Sequence, residues 1–214
     1  MNWQQPIDIY CERLDAGFWA EPLNAISNAA FVVAALLAWR LYRRVGLPQF
    51  KEVPLLIAML AMVGVGSFLF HSFAVQWALL ADVLPILFFQ IMALWTYLRR
   101  RLACGMVICW LAVIIYAAAS QVISQLVPDT LLNGSTGYLP SLLVQWLLAI
   151  FLWRRHREAA RLMMMAGGLF LLSLTFRSLD MAACGAVPFG LHFLWHILNA
   201  VVLYLVVRGL MRVK

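Results

Sequence analysis

The sequence predicts an all-α integral membrane protein, a bundle of seven transmembrane helices with its N-terminus outside and its C-terminus in the cytoplasm. Three observations predict it. Hydrophobic residues make up 65% of the 214 residues and charged ones 12%, with a mean hydropathy of +0.90, where a soluble domain carries about half and about a quarter. The apolar residues gather into stretches of about the 20 residues a helix needs to cross a bilayer. Between these stretches the basic residues cluster in alternate connections, as loop determinants of topology do.

Taken in order, residues 1–23 hold Asp8, Glu12, Asp15 and Glu21. That is the wrong chemistry for the basic start of a cleaved signal peptide, so they read as a retained extramembrane cap on one domain, residues 24–214. Spans are expected near 24–43, 53–73, 78–98, 102–120, 138–153, 162–179 and 188–208, the fifth being short. No repeat of 20–50 residues and no low-complexity linker divides the chain. Arg40, Arg43, Arg44 and Lys51 follow the first span, Arg99, Arg100 and Arg101 the third, Arg154, Arg155, Arg157 and Arg161 the fifth, and Arg208, Arg212 and Lys214 the last. With seven spans all of these lie on one side, leaving Arg13 and Arg177 for the other, and the positive-inside rule sets the orientation. The net charge of +7 is thereby spent on topology. No basic groove or binding motif accompanies it, so nucleic acid is not expected as a partner.

Orientation fixes depth. His71 ends the outward-going second span, while His192 and His196 begin the inward-going seventh and Asp82 begins the third. Three imidazoles and a carboxylate from three helices therefore meet near the outer face, although no depth was used in placing the spans. His192 and His196 share one helix face, and ionisable groups inside a membrane are functional candidates by default. The fourth histidine, His156, sits in an Arg-rich loop and reads as solvated. A single buried histidine is more often a hydrogen-bonded core residue, but three with an acid at one level point to a metal. Three neutral imidazoles leave an open fourth position, the arrangement of a catalytic zinc, and hydrolysis follows. Asp82 is then the candidate base. Ser67, one turn before His71, either assists at the oxyanion or only bonds across helices. Gly64 and Gly66 read as allowing close helix packing, and the many Met, Phe and Trp residues as core or lipid-facing filler.

These residues carry a resemblance. Ser67-x-x-x-His71, Asp82 eleven residues later and His192-x-x-x-His196 in the last span resemble the alkaline ceramidases, within a wider superfamily of seven-span hydrolase-like proteins that includes the adiponectin receptors. Tyr10-Cys11-Glu12 and the run Glu21-Pro22-Leu23-Asn24-Ala25-Ile26-Ser27-Asn28 look like the ceramidase branch. The resemblance implies zinc held by His71, His192 and His196, with Ser67 and Asp82 assisting cleavage of the amide of ceramide or a ceramide-like lipid to a sphingoid base and a fatty acid. It also implies calcium at the N-terminal segment, through Glu12, Glu21 and Asn24. Ile9 stands where the family has an Asp, a gap Asp15 would have to fill; otherwise these acids merely cap the N-terminus. Cys11 and Cys184, the latter in an Asp180-x-x-x-Cys184 run similar to the family's, are expected to form a disulfide, which an oxidising outer compartment permits. Cys104 and Cys109 read as reduced packing residues inside the fourth span. Asp180 is expected either to pair with Arg177 or to brace a histidine.

The expected setting is thus multi-pass in a membrane, the cell or inner membrane if the source is bacterial, with the site toward the outer face, a lipid amide as substrate and no protein partner singled out. The rival is a non-catalytic lipid-sensing receptor or assembly protein with a structural zinc, which a lipid hydrolysis assay separates. Haem ligation, testable by its Soret band, and proton or metal transport, testable by liposome flux, are further readings. No inverted repeat favours transport.

Overall fold

The computed structural model describes residues 2–46, 50–128 and 130–212, so Lys214 of the last basic cluster lies outside the described residues. Among them the chain is all helical: α1 (Pro22–Ser27), α2 (Ala29–Val45), α3 (Glu52–Phe73), α4 (Gln76–Thr96), α5 (Met106–Leu126), α6 (Leu139–Leu152), α7 (Arg157–Ala183) and α8 (His192–Met211). Six helical segments are long and apolar enough to cross a membrane: Pro22–Val45, Glu52–Phe73, Gln76–Arg101, Met106–Leu126, Arg157–Ala183 and His192–Met211. The seventh apolar helix, Thr136–Leu152, is shorter, at the place where the sequence predicts the short span. This is a multi-pass membrane protein. Its outward surface agrees, since α5 presents Val107, Ile108, Leu111, Ile114 and Ile115 away from the bundle, an apolar face that water would not tolerate.

Several boundaries differ from expectation for local reasons. The fourth helix starts at Met106 rather than near 102. Tyr97–Arg101 first form a π turn, and Ala103 then takes a left-handed conformation, φ 55°. Cys104 accordingly lies in this connection and not inside the span; Cys109 is within α5, and both thiols are free. The last helix starts at His192 rather than near 188, because Pro188 and the left-handed Gly190, φ +66°, keep the chain out of helix. His156 is not fully solvated. It is half-buried, with Nε2 3.1 Å from the Arg101 carbonyl.

Close packing of α3 on α4 brings two of the candidate residues together. Pro85 lies inside α4 and has no N–H for the Ala81 carbonyl four residues earlier. That carbonyl faces Gly66 of α3, where a Cβ would come within 1.9 Å of it. Only glycine fits, and the adjacent residues Ser67 and Asp82 are thereby brought into reach of each other. Ahead of α1, the N-terminal segment lies along the α3–α4 turn, with Ile7 N donating to the Ala74 carbonyl at 2.8 Å and Gln76 N to the Gln5 carbonyl at 3.2 Å.

Candidate metal centre

His71 on the last turn of α3 meets His192 and His196 on the first turns of α8. One ring nitrogen from each lies within 4.8 Å of the others, and all three side chains are buried. The ring centroids are 5.1, 4.7 and 4.6 Å apart. Among the described residues this is the one group of three His, Cys, Asp or Glu side chains close enough to share an ion.

Neighbours fix how two of the rings face. His71 Nδ1 is 2.6 Å from Glu21 Oε2, so this nitrogen donates to the carboxylate and Nε2 is left as the acceptor. That Nε2 is buried with no partner. His196 Nδ1 is 2.8 Å from Ser27 Oγ, and the hydroxyl already donates to the Asn24 carbonyl at 2.9 Å. Having one proton, the hydroxyl must accept from His196, which again turns Nε2 inward. His192 keeps Nδ1 buried and unpartnered, while Tyr10 stacks on its ring at 3.6 Å. Buried polar atoms without partners are costly; His71 and His192 each carry one, and with His196 they bring three imidazoles together, the donor set zinc takes. The histidines fit the ion the resemblance implies.

Asp82, at the start of α4, is partly buried. Its carboxyl accepts a hydrogen bond from Ser67, and Oδ1 is buried without a partner. Ser67 of α3 thus bonds across helices to the acid on α4, one of the two engagements expected of it. Asp180 does not pair with Arg177. Its carboxylate accepts from the backbone N–H of Leu191 at 2.7 Å, His192 at 2.9 Å and Cys11 at 3.0 Å, closing the orphan amides that open α8 and tying the N-terminal segment to them. A Cβ at Gly190 would come within 2.3 Å of this carboxylate. Arg177 instead donates to the Asn133 carbonyl at 2.7 Å and Ser135 Oγ at 2.6 Å. Its guanidinium lies 5.5 to 6.0 Å from the rings of Tyr10, Tyr138 and Trp195. Burial pushes the Tyr10 phenol above its ordinary range even with Arg177 alongside, so Tyr10 is a neutral wall of the site. Cys11 and Cys184 are joined, their Cα atoms 5.6 Å apart.

The residues expected to bind calcium do not fit it. Both oxygens of Glu12 are used on the first turn of α1, accepting from Leu23 N at 2.7 Å and Asn24 N at 2.8 Å. Glu21 Oε1 takes Arg13 Nε at 2.6 Å, and Oε2 takes His71 together with Asn24 Nδ2 at 3.0 Å. Asp15 lies exposed, its Oδ1 accepting from Gly17 N at 2.6 Å. Calcium takes six to eight oxygens; of these four side chains only Asn24 presents a buried oxygen without a partner, Oδ1. Burial lifts the Glu12 carboxyl above its ordinary value against the pull of the two amides. Burial acts the same way on Glu21, but the hydrogen bonds from His71, Asn24 and Arg13 outweigh it and hold that carboxyl below its ordinary value. Glu21 is therefore an anion already balanced by a guanidinium.

Sequence reasoning missed Arg13, Ser27 and Tyr10 as parts of the centre. Ser27 was in plain view inside the family-like run, but nothing in a one-dimensional pattern pairs it with His196.

Below the centre, Trp195 and Asn199 of α8 begin the lining of a partly open cavity. Its walls are mostly apolar, and include Phe31, Val63, Phe89 and Phe170.

Compared with known proteins, residues 10–214 match the family model described as Ceramidase. No curated protein matches the chain.

Proposed function

The chain belongs to the ceramidase family, and from that premise we propose that it is a zinc-dependent intramembrane hydrolase cleaving the amide of ceramide or a ceramide-like lipid. The observation that carries the reading is the inward-facing set of buried imidazoles beside the Ser67–Asp82 pair. His71, His192 and His196 would hold the ion. Zinc bound there supplies a Lewis acid and lowers the pKa of a water toward 7.

The chain's own residues do the rest. Asp82 takes a proton from the attacking water and delivers it to the amide nitrogen as the C–N bond breaks, releasing a fatty acid and a sphingoid base. While Asp82 is ionised, Ser67 donates to it and holds it in place. Once Asp82 carries the proton, Ser67 can accept from it and turn its own hydrogen to the developing oxyanion. The apolar cavity supports a substrate with long hydrocarbon chains entering from the bilayer.

Residues 1–23 act as an extramembrane cap on a seven-helix domain, with the centre toward the outer face. The basic clusters at the opposite end support this orientation.

Purified protein in nanodiscs, given ceramide, should release sphingoid base and fatty acid by mass spectrometry and should contain zinc by elemental analysis. Zinc present with no amide cleavage would instead favour the lipid-sensing receptor.

A further inference from the structure

We propose that Arg13 is a resident cation, a positioning residue that occupies the role of a divalent ion at the N-terminal segment and makes the protein independent of calcium. Its guanidinium reaches three stretches of chain. Nε donates to Glu21 Oε1 at 2.6 Å, Nη1 to the Asp15 carbonyl at 3.1 Å and Nη2 to the His71 carbonyl at 2.9 Å. Arg13 is 8% exposed and Glu21 2%, so the pair is shielded from water and from salt.

An ion that draws a carboxylate, a loop carbonyl and a helix-end carbonyl to one point is what a structural calcium does with oxygen ligands. Arginine does the same with fixed donors, and its charge does not depend on pH or on ion supply. Ile9 and Leu14, on either side of this stretch, carry no oxygen in their side chains. Of the acceptors nearby, the guanidinium holds Glu21 Oε1 and the carbonyls of Asp15 and His71, backbone amides hold both oxygens of Glu12, and Asn24 Oδ1 alone is too few for a calcium ion.

The consequence runs through Glu21 to the centre. Glu21 holds His71 Nδ1 at 2.6 Å, an outer contact of the kind that orients a metal-binding imidazole, and Arg13 holds both Glu21 and the main chain of His71. Arg13 therefore sets the approach of His71 from two directions. This second part rests on the zinc reading above; calcium independence does not.

Two measurements on the full-length protein in nanodiscs test them separately. The melting midpoint of the wild type should be unmoved by calcium chloride or by EGTA, and a rise with calcium would overturn the resident cation whether or not the protein is an enzyme. Zinc affinity by competing chelator should fall by about 10-fold or more in Arg13→Gln, within the range for outer-shell contacts; unchanged affinity would overturn the positioning role. Should Arg13→Gln fold poorly, the double variant Arg13→Gln/Glu21→Gln removes both charges. It should fold better and melt higher than Arg13→Gln, because no unpaired carboxylate stays buried, and a double variant no more stable than the single one would show that the two side chains do not form the unit described.

Discussion

Each end of the bundle buries an arginine in contact with a histidine, and the two ends use them differently. At the basic end Arg101 donates to the carbonyls of Gly209 and Leu210, His156 meets the carbonyl of Arg101 itself, and Tyr97 donates to the Val206 carbonyl at 2.7 Å. Every hydrogen-bond partner given to these three groups is main chain, mostly carbonyls at the end of α8, the last of which a helix cannot satisfy internally. At the other end Arg13 neutralises a carboxylate that itself turns a histidine, and His71 Nε2, His192 Nδ1 and Asp82 Oδ1 remain buried without partners. The basic end leaves over the donors Arg101 Nε and Arg208 Nε and one acceptor, Glu52 Oε2, on a carboxylate whose other oxygen Arg100 already holds. Polar burial completes a helix terminus at one end and leaves a set of convergent ring nitrogens at the other. Convergence of leftover acceptors, more than burial itself, separates a site from a scaffold.

That contrast can be broken most sharply at His196. His196→Ala should abolish both bound zinc and amide hydrolysis, read by elemental analysis and product mass spectrometry; retained zinc would mean the imidazoles do not act together. Asp82→Asn should keep zinc while turnover drops by about 10² to 10⁴, the range for losing a positioned acid–base group. Ser27→Ala removes the group that turns His196 and should weaken zinc by about 10- to 100-fold, measured by chelator competition, with the fold preserved. At the basic end His156→Ala, at a residue that is no part of the cavity lining, should lower stability by about 1 kcal/mol through one lost hydrogen bond, leaving zinc content and turnover unchanged. A catalytic defect there would erase the distinction between the two ends.

Much of the centre was legible because membrane crossing turns sequence position into depth. Once the basic clusters orient the spans, His71, Asp82, His192 and His196 fall at one level without any knowledge of packing. What depth cannot supply is azimuth, the direction each side chain takes around its helix. Ser27 is therefore invisible as a partner for His196, and Asp180 could not be assigned until its carboxylate was seen across the start of α8. Arg13 was hidden for a different reason. In the charge count it is one of two basic residues on the less basic side, a tolerated exception, and nothing in that count says that it is buried against Glu21. The acids matched for calcium share the same blindness, because a match shows composition but not whether their oxygens are already taken. Helix starts were displaced where left-handed Ala103 and Gly190 delay a helix that hydropathy alone would begin sooner.

The bond between Cys11 and Cys184 spans 173 residues, and it sits beside the carboxylate that seats the opening of α8. During synthesis the strap carrying Tyr10, Glu12 and Arg13 emerges long before its anchor. His71 waits likewise for the two histidines of the final crossing. The centre therefore cannot close until the last helix has been inserted, so a nascent or misthreaded chain carries no complete set of converging ring nitrogens into the bilayer that is its own solvent.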